Sequence, residues 1–366
     1  MNLTPIPAIV YCAHCMDSTR GKTAHGLIRF TERFDVRAVV DPEFAGQDAG
    51  DYLDGEKNGI PILATLAEAI EHLPESNKDS TSDNAAFVVG LATDGGVLPD
   101  HGRVAVAKAI SRGLDVYSGL HVFLNEDPQF SELAARHAVK LVDVRQPPHR
   151  SDLHFYEGRI DEVRSVRVLI LGTDSASGKR TTAWVLRNEL REKGYSAEMI
   201  GTGQTAWMQG ARFSIRLDSL VNDFVAGEIE HVVREAWEEA RPDVVVVEGQ
   251  GALLHPAYPG GLELVASVKP DILLLQDVPA RKTFDGFDDL PMPPMSRQIQ
   301  ALELLSGNRV SALTINPQGL SAEESEAVCT GFRNDFDRPA IDVFREGCGQ
   351  LIELIEAELR TREPIQ

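Results

Sequence analysis

One stretch of the chain combines residue types that can bind phosphate groups. The sequence from Gly172 to Lys179 reads GTDSASGK and follows an apolar run at residues 166–171. A short apolar run rich in β-branched residues predicts a buried parallel strand, and the residues after Lys179 have a helical apolar pattern. Strand, glycine-containing turn, lysine and helix are the order of a phosphate-binding loop, in which backbone N–H groups and the helix N-terminus receive an anion.

The loop departs from the usual G-x-x-x-x-G-K-S/T pattern at one position that matters for its chemistry. Arg180 stands where a hydroxyl residue ordinarily ligates Mg²⁺, and two threonines follow it. We therefore predict a real anion site that is poorly suited to ATP hydrolysis. The predicted cofactor-binding residues are Gly172, Thr173, Asp174, Ser177, Gly178, Lys179, Arg180, Thr181, Thr182 and Asn316.

Two later side chains could act as the acid or base of a reaction. Glu248 directly follows the apolar run DVVVV, and a carboxylate at a strand end can bind Mg²⁺ or accept a proton if burial raises its pKa. His255 lies seven residues on, and an imidazole with a pKa near about 6.5 takes up a proton around neutral pH. We predict a catalytic role for both; the alternatives are a solvated carboxylate and a surface histidine.

Several loops follow apolar strands of the second half of the chain and should meet at one edge of its sheet. The carboxyl edge of an open parallel sheet is the usual ligand crevice of such folds. Guanidinium and ammonium groups near that edge could hold a carboxylate or a second phosphate; the candidates are Arg180, Arg212, Arg216, Arg281 and Lys282. The predicted substrate-binding residues are Gln204, Thr205, Asp218, Gln250 and Arg281.

Alternating strands and helices predict an α/β protein of two domains. Residues 1–150 should form a Rossmann-like parallel sheet domain and residues 151–366 a phosphate-loop α/β domain. Asp41 ends the second strand, where a dinucleotide-binding fold places an acid on the ribose, but the first turn, AHCMDSTRGKT, lacks G-x-G-x-x-G and argues against NAD. Cys12 and Cys15 form a C-x-x-C pair without a second pair, so no metal site is predicted.

Charge and composition restrict the classes of partner. The formal net charge is −20, from 56 acidic and 36 basic residues, and such a surface repels nucleic acid and anionic membranes. No apolar run approaches the roughly 20 residues that a membrane span needs, and four cysteines are too few for a disulfide scaffold. We expect a cytoplasmic protein that acts on a small molecule and forms a homo-oligomer, as multi-domain enzymes often do.

Three motifs in order along the chain resemble a known bacterial family. GTDSASGKRTT, GTGQT and VVEGQGALLHPAYPG, with DLHF before and NDFVAGEIE after the phosphate loop, are similar to a family with an N-terminal Rossmann-like and a C-terminal P-loop domain. That family, long of unknown function, includes D-glutamate N-acetyltransferases. The resemblance spans nearly the whole chain and implies acetyl transfer from acetyl-CoA to the amine of D-glutamate or a related D-amino acid. The P-loop domain also looks like dethiobiotin synthetase, which uses ATP and Mg²⁺.

These considerations leave three functions open. In the first, the phosphate loop holds the phosphates of acetyl-CoA without a metal, and Glu248 or His255 removes a proton from the acceptor amine. A thioester is already reactive, so the enzyme need only place the amine about 3 Å from its carbonyl carbon. The second function is an ATP- and Mg²⁺-dependent kinase or ligase of the dethiobiotin-synthetase type. The third is a non-catalytic protein that binds a nucleotide or CoA.

Overall fold

The structure, a computed structural model, describes residues 4–74 and 85–362. These residues form two compact units: residues 4–147 with Gln204–Ala211 make the first, and residues 148–203 with 212–362 make the second. A polar surface loop predicted from the sequence at residues 75–84 lies outside the described residues. No described helix is long and apolar enough to cross a membrane.

The first unit is built on a six-stranded parallel sheet. Its strands are β1 (Ile6–Tyr11), β2 (Phe34–Val40), β3 (Ile62–Leu63), β4 (Ala86–Val89), β5 (Asp115–Ser118) and β6 (Leu141–Asp143). Its first five helices are α1 (Lys22–Arg29), α2 (Ala49–Asp54), α3 (Leu66–Ile70), α4 (Asp100–Ser111) and α5 (Pro128–His137). The strand order is β3-β2-β1-β4-β5-β6. The chain adds β2 and β3 on one side of β1 and β4 to β6 on the other, as in Rossmann folds. The predicted Rossmann-like domain is confirmed.

A short helix from later in the chain completes the first unit. Gln204 and Thr205 were expected to end a loop, residues 201–205, at the edge of the second sheet, but in the structure they begin this helix, α7 (Gln204–Gln209), which belongs to the first unit. Met208 is fully buried in the first hydrophobic core. The Gln209 amide donates hydrogen bonds to the carbonyls of Gly26 and Phe30, at 2.8 and 2.9 Å. Both apolar and polar contacts therefore hold α7 against α1.

The second unit contains a larger parallel sheet and one separate hairpin. Its strands are β7 (Val166–Gly172), β8 (Ala197–Gly201), β9 (Phe213–Ser214), β10 (Val244–Glu248), β11 (Ile272–Asp277), β12 (Thr283–Phe284), β13 (Phe287–Pro291), β14 (Val310–Ile315) and β15 (Ala340–Ile341). Seven of them pair in the order β15-β14-β11-β7-β10-β8-β9, and β12 pairs with β13. The central strands β7, β10 and β11 are buried throughout, which explains their continuous apolar sequences.

The helices of the second unit depart from the sequence-based boundaries at one place near the site. They are α6 (Lys179–Glu192), α8 (Asn222–Ala240), α9 (Leu262–Val268), α10 (Met295–Ser306), α11 (Ala322–Phe336), α12 (Val343–Glu346) and α13 (Gly349–Leu359). The sequence suggested one helix from Asp218 to Ala240, but Leu220 and Val221 are extended. Asp218 therefore lies in a separate single turn, Leu217–Ser219.

Two buried acids on α8 hold the segment that precedes β7. Glu228 Oε1 accepts a hydrogen bond from the backbone N–H of His154 at 2.6 Å and lies 2.8 Å from His154 Nδ1. The Glu230 carboxylate accepts from the backbone N–H groups of Glu157 and Ile160, at 2.7 and 2.9 Å. The DLHF and NDFVAGEIE motifs thus lie against each other. Carboxylates of NDFVAGEIE accept hydrogen bonds from backbone N–H groups in DLHF and in the residues that follow it.

Gly227 allows α8 to approach that segment closely. A Cβ atom on Gly227 would lie 2.0 Å from the backbone oxygen of His154, whereas one on Gly331, inside α11, would meet nothing within 4 Å. We predict that Gly227→Ala lowers the free energy of unfolding by about 1–3 kcal/mol through overpacking. Gly331→Ala should raise the free energy of unfolding by about 0.5–1 kcal/mol, because alanine favours a helix interior over glycine and its methyl group meets no neighbour there. Urea unfolding of both variants tests the difference; equal effects would contradict the close approach at Gly227.

Candidate functional site

The phosphate loop leaves the centre of the second sheet. Strand β7 lies between β11 and β10, so the loop at residues 172–178 starts beside Asp277 at the end of β11 and Glu248 at the end of β10. Helix α6 begins at Lys179, and its N-cap residue Gly178 has φ 101°, a left-handed conformation that glycine adopts at little cost. The ends of β7, β10 and β11 therefore bring the phosphate loop with Lys179, Glu248 and Asp277 to the same edge of the sheet.

Lys179 lies at the centre of the loop. Its Nζ donates hydrogen bonds to the carbonyls of Asp174 and Gly251, at 2.7 and 2.8 Å, and lies 3.3 Å from Ser177 Oγ. Only 6% of the residue is exposed. A Cβ on Gly172 would lie 2.9 Å from Nζ, so glycine at this position gives the lysine side chain room to fold back over the loop. The site thus holds a buried cation at the N-terminus of a 14-residue helix.

Arg281 is bound to the phosphate loop itself. Its Nη1 donates to Asp174 Oδ2 and to the carbonyl of Ser175, both at 2.9 Å, and Nη2 donates to the carbonyl of Ala176 at 3.1 Å. Asp174 is fully buried and also accepts from the backbone N–H of Asp285 at 2.9 Å. The sequence suggested that Arg281 binds substrate, but these contacts direct both of its terminal nitrogens to the loop, which fixes the loop's shape.

Asn316 supports the loop from the end of β14. Its Nδ2 donates to the carbonyl of Ser177 at 3.1 Å, and a Cβ on Gly178 would lie 3.2 Å from the same nitrogen. Asn316 therefore lies against the turn that starts α6, the part of the loop where a phosphate-binding loop receives its anion.

The hydroxyl groups of Thr173 in the loop and Thr182 in α6 are directed at β11. Thr173 Oγ1 donates to Asp277 Oδ1 at 2.7 Å, and Thr182 Oγ1 donates to Gln276 Oε1 at 2.6 Å. Both threonines are at most 1% exposed. Thr181, in the first turn of α6, is half-buried. In the 4–74 and 85–362 ranges, no group of three His, Cys, Asp or Glu side chains could hold a metal ion.

Glu248 is a buried carboxylate between the loop and β8. Its Oε2 accepts a hydrogen bond from the backbone N–H of Thr202 at 3.0 Å, and the residue is 5% exposed. Burial raises its pKa, and the positive charges of Arg180 and Lys179 oppose that rise. Gln250, another predicted site residue, donates to Thr202 Oγ1 at 2.9 Å. Glu248 thus combines a raised pKa with two nearby cations, which suits a group that gains and loses a proton.

His255 has the hydrogen bonds of a structural residue. Its Nδ1 accepts from the backbone N–H groups of Ala257 and Tyr258, at 3.1 and 3.0 Å, so the neutral ring must carry its proton on Nε2. Nε2 lies 3.5 Å from Asp174 Oδ1, and the ring packs against Phe284 at 4.4 Å. Burial lowers the pKa of His255. Since neither ring nitrogen offers a free lone pair, the geometry favours Glu248 over His255 as the base.

Of the remaining predicted substrate-binding residues, two belong to the first unit and one to the second. Gln204 and Thr205 are buried in α7 of the first unit, where Thr205 Oγ1 lies 3.0 Å from Thr23 Oγ1. Asp218 is exposed in its own short turn of the second unit.

Three residues of the cluster, Thr202, Gln276 and Asp277, were not among the predicted site residues, although Thr202 and Asp277 lie in loops that were expected at this edge. Thr202 forms hydrogen bonds with Glu248 and Gln250. Gln276 accepts a hydrogen bond from Thr182, and Asp277 accepts one from Thr173. Burial raises the pKa of Asp277, while its hydrogen bond from Thr173 opposes the rise. The signal that identified Glu248, a polar residue at the end of a buried strand, also applies to Gln276 and Asp277.

Asp41 of the first unit does not have the geometry of a ribose-binding acid. It is fully buried, and its Oδ2 accepts from the backbone N–H groups of Cys15 and Met16, both at 3.3 Å. Its Oδ1 accepts from the backbone N–H of Glu43 at 3.0 Å. These bonds hold the loop after β1 and occupy both carboxylate oxygens.

Comparisons with known proteins agree with this architecture. Family models match residues 154–352 as the DUF1611 P-loop domain and residues 42–147 as the DUF1611 Rossmann-like domain, both described as domains of unknown function. Relatives from Tritonibacter scottomollicae and a Pseudoalteromonas species, each named D-glutamate N-acetyltransferase, are 29% and 28% identical to the chain. They align over 74% and 73% of this chain and over 81% and 80% of their own lengths.

A solved structure extends the match to nearly the whole chain. The crystal structure of a DUF1611 family protein from Anabaena variabilis ATCC 29413 is 26% identical and superposes with a TM-score of 0.86. The superposition covers 96% of this chain and 99% of that one. With both domain models matched in order, the chain belongs to the DUF1611 family of proteins with an N-terminal Rossmann-like and a C-terminal P-loop domain.

Proposed function

We propose that the chain is an amino-acid N-acetyltransferase, which moves the acetyl group of acetyl-CoA to the amine of D-glutamate or a related D-amino acid. The observation that carries this proposal is the name shared by the two relatives, D-glutamate N-acetyltransferase, over nearly three quarters of the chain. The chemistry of the phosphate loop supports the choice of donor, and the surroundings of Glu248 support the choice of base.

The loop residues fit a CoA diphosphate. Lys179 and Arg180 place two cations at the N-terminus of α6, and a helix N-terminus with nearby cations favours phosphate groups. In a protein of net charge −20, such a local cationic site is needed to attract an anionic donor. Acetyl transfer activates no phosphoryl group and so needs no hydroxyl group to bind Mg²⁺. The hydroxyl groups of Thr173 and Thr182, which are buried and bonded to β11, are compatible with that reaction. Phosphoryl transfer ordinarily uses a hydroxyl group directly after the lysine to bind Mg²⁺, and Arg180 stands at that position.

Glu248 would act as the general base. The acceptor enters as an ammonium ion, loses one proton to solvent and attacks the thioester carbonyl carbon through its nitrogen lone pair. Glu248 takes the second nitrogen proton, the C–S bond breaks as the C–N bond forms, and the proton passes to the CoA thiolate. The products are the N-acetyl amino acid, CoA thiol and one proton released to solvent. The positive charges of Arg180 and Lys179 favour the ionised form of Glu248 and so oppose the effect of burial on its pKa.

A direct assay tests the proposal. Purified protein with acetyl-CoA and D-glutamate should release CoA thiol, measured with a thiol reagent, and form N-acetyl-D-glutamate, measured by mass spectrometry. Omitting the amino acid is the control for thioester hydrolysis. Acetyl-CoA without Mg²⁺ should raise the melting temperature, because a ligand of the native state stabilises it. Stabilisation by ATP with Mg²⁺ alone, and no thiol release with any D-amino acid, would favour the kinase or ligase instead.

A further inference from the structure

One of the candidate cations at the carboxyl edge of the second sheet, Arg216, differs from the others. Arg212 is exposed and forms an ion pair with Glu239 at 2.7 Å, Lys282 is exposed and donates to a backbone carbonyl, and Arg281 is bound to the phosphate loop. Arg216 is half-buried, and within residues 4–74 and 85–362 nothing accepts a hydrogen bond from its guanidinium. The N–H groups of this half-buried guanidinium are therefore left to water or to a ligand, and a carboxylate is a stronger acceptor than water.

One strand, β8, separates Arg216 from Glu248. It follows β9, and the backbone N–H of the next residue, Leu217, donates to the carbonyl of Thr202 at 3.2 Å. The backbone N–H of Thr202 in turn donates to Glu248 Oε2. Arg216 and Glu248 therefore flank Thr202 at the same edge of the sheet, with backbones about 10 Å apart for two strand spacings. Side chains that extend from both positions can contact opposite ends of one small molecule.

The surroundings of Arg216 leave its charge available for a ligand. Burial lowers the pKa of the guanidinium, and Glu228 is the acid whose charge opposes that shift. The Glu228 carboxylate already accepts a hydrogen bond from the backbone of His154 and lies against the His154 ring. The planar fork of N–H donors on an arginine matches the two oxygens of a carboxylate.

We propose that Arg216 binds the side-chain carboxylate of the amino-acid acceptor and thereby selects an acidic amino acid. This inference rests on the proposed acetyltransferase function. The acceptor amine would lie near Glu248. The side-chain carboxylate, which is the one farther from the amine, would extend past Thr202 to Arg216. The α-carboxylate, one carbon from the amine, fits this separation less well. Arg216 then determines specificity, while Glu248 performs the proton transfer.

The variant Arg216→Gln tests the assignment with two acceptors of the same shape. With D-glutamate, kcat/KM should fall roughly 10- to 100-fold, as for the loss of hydrogen bonds between charged groups. With D-glutamine, whose side chain is neutral, kcat/KM should change by less than about threefold because no ion pair is lost, and KM for acetyl-CoA should not change. Arg212→Gln, which removes an exposed arginine nearby, should leave both acceptors unaffected. An equal fall with D-glutamate and D-glutamine would overturn the proposal.

A binding measurement separates this inference from the proposed function. Glutarate has two carboxylates and no amine, so its binding by calorimetry needs no turnover. Wild-type protein should bind glutarate, Arg216→Gln should bind it about tenfold or more weakly, and Arg216→Lys should be intermediate because it keeps the charge without the fork. The melting temperature of Arg216→Gln should change little, since glutamine keeps most of the side-chain stem and no hydrogen bond or ion pair among the described residues is removed. Glutarate binding that is absent in the wild type or equal in Arg216→Gln overturns the proposal, whether or not acetyl transfer is observed.

Discussion

Glu248→Gln should lower kcat for acetyl transfer by about 10²- to 10⁴-fold, the range for loss of a general base. Glutamine has nearly the same shape and can still accept the hydrogen bond from the backbone of Thr202, so the fold and acetyl-CoA binding should be retained. Glu239→Gln is the matched control, because Glu239 is an exposed carboxylate of the same unit whose partner is Arg212. Wild-type turnover in Glu248→Gln would remove Glu248 from the mechanism.

The pH dependence of activity in the wild type and in Glu248→Gln is a second test of Glu248 as the base. Burial raises the pKa of Glu248, so the folded protein holds this proton more tightly than the unfolded chain. Stability from this group is therefore present at low pH and is lost as pH rises from the ordinary carboxyl pKa through the raised one. Activity has the opposite dependence, since only ionised Glu248 accepts a proton. We expect kcat/KM to rise through the raised pKa in the wild type and this limb to be absent in Glu248→Gln.

Asp174→Asn should lower the free energy of unfolding of the second unit by about 3–5 kcal/mol, the usual cost of removing one partner from a buried ion pair. Asp174 is fully buried, and the change leaves the Arg281 guanidinium, only 16% exposed, without its counter-ion. The amide also cannot accept every hydrogen bond that the carboxylate accepts from Arg281 and the backbone of Asp285. The phosphate loop should lose its shape and, with it, the stabilisation by acetyl-CoA.

Denaturant unfolding and thermal shift with acetyl-CoA measure both effects of Asp174→Asn. Asp161→Asn is the control, because Asp161 forms a pair with Lys269 at 2.8 Å that is largely exposed. Such surface pairs contribute about 0–1 kcal/mol. If Asp174→Asn and Asp161→Asn were equally stable and equally stabilised by acetyl-CoA, the network around Asp174 would have no role in shaping the loop.

The sequence allowed the central part of the site to be predicted because it depends on local pattern. The apolar runs of β7, β10 and β11 are long enough to be recognised as buried strands, and parallel strands bring their carboxyl ends to one edge. That reasoning placed Lys179 and Glu248 at the same edge, and in the structure Lys179 Nζ donates a hydrogen bond to the carbonyl of Gly251, three residues after Glu248. The order of strand, glycine turn and helix predicted the phosphate loop in the same way.

Residues whose surroundings depend on distant contacts could not be assigned from the sequence. Arg281 was interpreted as a ligand of the substrate, but its partner Asp174 lies more than one hundred residues away. The tautomer of His255 depends on how the following turn brings two N–H groups back to Nδ1. Helices α9 and α11 and the β12–β13 hairpin were also not identified, and Arg216 differed in no visible way from the other cations until their ion pairs were known.

The position of α7 has a consequence for how the chain acquires its structure during synthesis. The first unit is complete only when Gln204–Ala211 has joined it, because Met208 fills part of its core. On the ribosome, residues 4–147 must therefore wait for the strand, loop and helix that contain Lys179 before their last packing partner emerges. A nascent chain that stops before residue 204 would leave the N-terminal core open to solvent, a state that molecular chaperones recognise by its exposed apolar surface.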